Sequence, residues 1–87
     1  MRKILFMPKA WQDLGLWMQN DPKVVKKIYK LLDNCSKMPF DGLGQPEALK
    51  CNYSGYWSRR INQEHRMVYK VEDKYIVVHS LYGHYQD

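Results

Sequence analysis

The hydrophobic pattern changes period once along the chain, and that change constrains the architecture more than any other feature. Up to about residue 37, apolar residues recur at helical spacing; after about residue 46 they alternate every second position. The first period buries one stripe of a helix, and the second buries one face of a strand. A chain that spends its first half on helices and its second on strands is expected to fold as α+β. Two N-terminal helices would then pack on one face of an antiparallel sheet of four to five strands. Eighty-seven residues leave room for one core, so residues 1–87 are expected to form a single domain.

Residues 3–7 are apolar and read as a short strand. Pro8 suits the first turn of a helix, where its missing N–H costs no bond. From there to residue 19, Trp11, Leu14 and Met18 repeat at helical spacing with Trp17 beside them, and the tryptophans read as packing residues. Asn20-Asp21-Pro22 ends this helix and opens a second, with Asp21 as the expected cap. In residues 22–37, Val24, Ile28, Leu31 and Cys35 form one stripe. Lys23, Lys26, Lys27, Lys30 and Lys37 lie mostly on the other side. Met38 to Gly44 is a turn-rich connector, long enough to carry a function of its own. Pro46 to Lys50 reads as a short edge strand, Tyr56 to Asn62 as a second strand and residues 65–71 as a third. After the turn Glu72-Asp73-Lys74, the stretch Tyr75 to Tyr82 is the most apolar and belongs inside the sheet.

A hydrophobic fraction of 45% with 14% aromatic residues excludes a disordered chain. The net charge of +5, from 14 basic and 9 acidic residues, favours an anionic partner: RNA, DNA or an acidic protein. The apolar run near the N-terminus is too short for a signal peptide or a membrane span, so the expected location is the cytoplasm. Cys35 and Cys51 show neither metal-ligand spacing nor a disulfide framework, and Cys35 is expected to be a buried thiol. His65, His79 and His84 have no metal-binding spacing, and no glycine-rich phosphate loop is present. No metal and no cofactor is therefore expected.

The remaining chemistry lies at the ends of strands: Glu47, Lys50, Arg59, Arg60, Arg66, His84 and Tyr85. Together these supply a carboxylate, several cations, an imidazole and a phenol. That set suits RNA cleavage without a metal. The 2′-hydroxyl must lose a proton as it attacks phosphorus, the 5′-oxygen must gain one as it leaves, and charge on the phosphoryl oxygens must be stabilised in between.

The stretch from Lys37 to Lys50, with Pro39-Phe40-Asp41-Gly42-Leu43-Gly44-Gln45-Pro46-Glu47 at its centre, resembles the signature of YoeB toxins within the wider RelE/ParE group. The likeness continues through Asn52 to Ile61, Glu64 to Tyr69 and the terminal Gly83-His84-Tyr85, in order and at unbroken spacing, and includes Trp11 and Asp21-Pro22. It implies the toxin of a type II toxin–antitoxin pair, an endoribonuclease that cuts mRNA in the ribosomal A site and so arrests translation. By the same resemblance Glu47 is the general base, His84 the general acid, Arg66 the cation at the scissile phosphate, and Tyr85 an orienting group. Lys50, Arg59 and Arg60 would bind phosphates, and Lys23, Lys26, Lys27 and Lys30 are candidates for touching the ribosome. The implied partners are a YefM-like antitoxin with an acidic flexible C-terminal segment, the ribosome with its mRNA, operator DNA only together with the antitoxin, and a second copy of the chain. The rival readings are a non-catalytic gyrase poison on the same scaffold and a degenerate toxin acting only at its promoter. Two departures stand out: Met7 where a Ser or Thr cap is expected, and Gln86-Asp87 beyond the usual His-Tyr end.

Overall fold

Pro8 and Pro22 are each the first residue of a helix, as their missing donors dictate. The computed structural model describes residues 1–83. Within them the chain forms β1 (Lys3–Phe6), α1 (Pro8–Asn20), α2 (Pro22–Lys37), β2 (Glu47–Ala48), a 3-10 turn (Cys51–Tyr53), β3 (Trp57–Arg60), β4 (Arg66–Val71) and β5 (Tyr75–Ser80). Neither helix is capped by a side chain: the Met7 and Asp21 carbonyls accept the N–H groups of Trp11 and Val24, each at 3.0 Å. The expected Asp21 side-chain cap is therefore replaced by backbone.

The five strands lie in the order β1-β5-β4-β3-β2. The pairs from β2 to β5 are antiparallel, whereas β1 runs parallel to β5. The parallel pair arises because both helices carry the chain back across the sheet before β2 begins. β4 and β5 occupy the interior, as the apolar run 75–82 suggests. No helix among the described residues is long and apolar enough to cross a membrane.

Ile28, Leu31 and Cys35 of α2 meet Met67, Tyr69, Ile76 and Val78 of the sheet in the core. The buried face of α1 is rotated by one residue from the expected stripe. Ala10, Asp13 and Trp17 are buried, while Trp11 and Met18 are 65% and 54% exposed. Trp11 leans on Phe6, with ring centroids 5.9 Å apart, instead of entering the core. The rotation turns a carboxylate and an indole N–H inward, where both have backbone partners.

The connector after α2 is organised around Arg59. Strand alternation puts Arg59 on the same side as Trp57, and its side chain is completely buried. Its Nη1 donates to Asn34 Oδ1 at 2.7 Å and to the Leu43 carbonyl at 3.2 Å. Its Nη2 donates to the carbonyls of Met38 and Asp41, and its Nε to the Tyr69 hydroxyl at 3.1 Å. The Tyr69 hydroxyl in turn donates to the Pro39 carbonyl at 2.8 Å. Burial pushes the Tyr69 phenol up to about 12, against the lowering effect of Arg59. Burial likewise raises the Cys35 thiol. Gly44 closes the connector at a φ of +80°, and a Cβ there would lie 2.7 Å from Leu31 Cδ2.

Candidate active face of the sheet

Register decides which polar side chains share a surface. Glu47 pairs with Ser58, Arg60 with Arg66, and Ser58 with Val68. Directly paired residues point the same way, as do residues two apart on one strand. Glu47, Ser58, Arg60, Arg66, Val68 and Lys70 therefore all face away from the helices. Glu47 and Arg66 lie two strands across and two residues along, roughly 12 Å between Cα atoms from ordinary strand spacings. Lys50 follows β2 at the same edge and is exposed. On this face Lys70 Nζ stands 6.0 Å from the Tyr56 ring, which lies 5.4 Å from the ring of His79. The surface thus combines cations with aromatic planes, as a single-stranded nucleic acid requires.

Two features set Arg60 and Arg66 apart from the other basic residues. Like charges directly opposite one another on neighbouring strands destabilise a sheet unless something neutralises them. Among the described residues neither guanidinium joins an ion pair with a carboxylate. Arg66 is half-buried, and its Nη1 donates to the carbonyls of Asn62 at 2.9 Å and His65 at 3.2 Å in the β3–β4 turn. These contacts hold the guanidinium in place while committing only part of its donor fork.

The residues expected to act on RNA divide accordingly. Glu47, Arg60 and Arg66 share the open side by register, and Lys50 is exposed at the edge just after β2. Arg59 does not share it: its donors are spent inside the protein and it has no exposed surface, so the expected phosphate contact gives way to a structural role. Lys23, Lys26, Lys27 and Lys30 are all exposed, but on α2, which covers the opposite face of the sheet. His84 and Tyr85 lie outside the described residues, as do Gln86 and Asp87.

The chain reaches that tail through a tightly held segment. The N–H of Leu81 donates to Asp13 Oδ2 at 2.9 Å, and the Leu81 carbonyl accepts Trp17 Nε1–H at 2.7 Å. Lys9 Nζ pairs with the same Asp13 oxygen at 2.8 Å and reaches the Tyr82 carbonyl at 3.5 Å. The N–H of Gly83 donates to His65 Nδ1 at 2.9 Å, and the Gly83 carbonyl accepts the backbone N–H of Arg66 at 2.9 Å. The His65 ring sits edge-on to Trp17 at 5.0 Å and against Tyr82 at 4.1 Å. From the sequence, Asp13 was not singled out, Trp17 was taken only as a packing residue, and His65 was weighed only as a metal ligand. The available signal was a carboxylate at helical spacing between Ala10 and Trp17, an unusual choice for a buried stripe.

Comparison with known proteins gives a consistent picture. The model of the family described as YoeB-like toxin of bacterial type II toxin-antitoxin system matches residues 6–85. A protein named Toxin YoeB from Synechocystis sp. is 49% identical over 84 residues, covering 97% of this chain and 98% of that one. The structure of a YoeB dimer from Staphylococcus aureus superposes with a TM-score of 0.89 at 47% identity, covering 97% and 98% of the two chains. In a heterotetrameric YoeB-YefM toxin-antitoxin complex from the same organism, one chain matches with a TM-score of 0.87 at 46% identity, covering 98% and 99%.

Proposed function

The chain belongs to the YoeB-like toxins of bacterial type II toxin–antitoxin systems, and from that premise we propose that it is an mRNA endonuclease acting on the ribosome without a metal. The observation that carries the reading is the sheet face away from the helices, which Glu47, Arg60 and Arg66 share by register and where, among the described residues, neither guanidinium pairs with a carboxylate. His84 follows Gly83 in the sequence, and the Gly83 carbonyl accepts the backbone N–H of Arg66.

In the proposed reaction Glu47 accepts the proton of the 2′-hydroxyl as that oxygen attacks the adjacent phosphorus. Arg66, with Arg60 and Lys50 beside it, stabilises the charge on the phosphoryl oxygens. His84 donates a proton to the departing 5′-oxygen, Tyr85 orients the substrate, and a 2′,3′-cyclic phosphate remains. One acid–base group is typically worth about 10²–10⁴ in rate and one preorganised donor about 10²–10³. The ribosome supplies the alignment of mRNA that a shallow open face lacks. Arrested translation is the consequence.

The family membership supports a YefM-like antitoxin as partner, its acidic flexible C-terminal segment lying over the basic face. Operator DNA is bound only by that complex. A second copy of the chain can also associate, as in the Staphylococcus aureus dimer. The test is single-turnover cleavage of ribosome-bound mRNA. His84→Gln and Arg66→Ala are each expected to slow it by about 10² or more. Near-parental rates in both variants refute the assignment, and gyrase inhibition in their place favours the binder reading.

A further inference from the structure

We propose that Tyr56, His79 and Lys70 form a nucleobase subsite, a stacking platform for the nucleotide on the 5′ side of the scissile phosphate. The proposal rests on the nuclease reading of this face and adds where the substrate's base is held. Glu47 lies opposite Ser58, and the ladder continues to Tyr56, whose carbonyl accepts the Leu49 N–H at 2.9 Å. Tyr56 and Arg60 lie two residues to either side of Ser58, so all three point away from the helices. The arginines stand at one end of this row, Glu47 beside its middle and Tyr56 at the other end. Ordinary strand spacings put Tyr56 roughly 13 Å from Arg60 and roughly 8 Å from Glu47, between Cα atoms. A phosphate held by Arg60 and Arg66, with the 2′-hydroxyl turned to Glu47, sends the preceding nucleotide toward Tyr56.

The groups at the Tyr56 end suit a base together with its phosphate. The Tyr56 and His79 ring centroids are 5.4 Å apart with the planes at 57°, and Lys70 Nζ stands 6.0 Å from the Tyr56 ring. Tyr56 and His79 are half-buried and Lys70 is exposed, so the cluster opens to solvent. The sheet departs from regular pairing to put His79 there. Tyr69 pairs with Val78 but Val68 with Ser80, which leaves His79 as the extra residue on β5. Such a bulge bends its strand and re-aims a side chain, and bulges recur beside active sites. Any apolar group could cover the sheet at this point. Two aromatic planes with an ammonium beside them offer more: stacking for a flat base and attraction for the phosphate that carries it. Among the described residues Lys70 joins no ion pair with a carboxylate, so its charge is available to that phosphate. Stacking tolerates every base, so the subsite fixes where the substrate lies without choosing its sequence.

Binding of fluorescein-labelled 2′-O-methyl hexaadenylate, which keeps the bases and lacks the attacking hydroxyl, measures the platform apart from cleavage. Tyr56→Leu keeps an apolar cover and removes the aromatic plane. It should weaken binding about five- to a hundredfold, the range for one stacked base, whereas Tyr56→Phe should stay within about twofold of the parent. His79→Leu, which removes the ring bracing Tyr56, should weaken it about two- to tenfold. Lys70→Met should lower the slope of log K against log salt by about one phosphate. The ribosome fixes the register for a second measurement. In single-turnover cleavage of ribosome-bound mRNA, an abasic nucleotide on the 5′ side of the mapped cut should slow the parent about as much as Tyr56→Leu does. The same abasic substrate should slow Tyr56→Leu by less than about twofold more, because the partner is already lost. Parental binding by either leucine variant overturns the proposal. So does equal weakening in Tyr56→Phe, an unchanged salt slope in Lys70→Met, or an abasic penalty of the same size in both proteins. No cleavage by the parent, with the Tyr56 effect on hexaadenylate intact, fails the nuclease reading and not the base subsite.

Discussion

Replacing Arg59 by methionine tests whether the guanidinium is the keystone of the connector or a ligand for RNA. Arg59→Met keeps a flexible apolar body and deletes all five donor contacts: two to Met38 and Asp41, two to Asn34 and Leu43, and one to Tyr69. Hydrogen bonds to charged groups contribute about 1.5–3 kcal/mol each, and a buried carbonyl left dry costs about 1–3 kcal/mol. Against them stands the several kcal/mol needed to desolvate the cation. Water reaches part of the connector once it loosens, which softens the loss. The balance puts the change at about 3–5 kcal/mol, the range for breaking a buried charged network. A domain of this size holds only about 4–13 kcal/mol in all. At about 4–8 °C per kcal/mol, the thermal midpoint should fall by about 12 °C or more. Circular dichroism melting measures it, and hydrogen exchange should show residues 38–44 losing protection first. A midpoint within about 3 °C of the parent, with RNA cleavage lost all the same, refutes the structural role.

The neighbouring arginine should behave in the opposite way. Arg60→Met, at an exposed position, should shift stability by no more than about 0.5 kcal/mol. It should reduce the salt dependence of RNA binding by about one phosphate, read from the slope of log K against log salt. Tyr69→Phe reports on the buried phenol. The folded value is pushed to about 12 from an ordinary 10, so Tyr69 stabilises the fold fully below pH 10 and loses that contribution as pH rises toward 12. Urea unfolding between those limits should show the parent losing about 3 kcal/mol more than the variant, and parallel profiles refute the assignment. Gly44→Ala should destabilise by about 1–3 kcal/mol, from the positive φ together with the 2.7 Å approach to Leu31, as measured by the same unfolding.

What was legible in the sequence followed periodicity. α2 runs Pro22–Lys37 as its stripe indicates, because four apolar residues at helical spacing against a lysine side leave one way to bury it. The strands of the second half were equally plain. The parallel pairing of β1 with β5 was not, since four residues carry no directional signal and the pairing depends on where the helices return the chain. α1 misled for a chemical reason. Trp11 and Met18 are more apolar than Asp13, yet Asp13 is the one buried, because its carboxylate meets the Leu81 N–H. Polar burial of this kind depends on a partner 68 residues away in the chain, which local pattern does not reveal. Arg59 and Arg60 repeat the lesson. They look alike as a dipeptide, but alternation from Trp57 sends one beneath the connector and the other to the open face. Of the candidate site, the family-like signature indicated Glu47 and Arg66, and the register put them on one face.

Chemistry at the 2′-hydroxyl is the step on which the proposed nuclease stands or falls. An mRNA carrying a single 2′-deoxy nucleotide at the mapped cleavage position, presented on the ribosome, tests it directly. The account predicts no cut at that position and a 2′,3′-cyclic phosphate end on the unmodified control. Cleavage of the deoxy substrate at the control rate, leaving a 3′-hydroxyl, contradicts it.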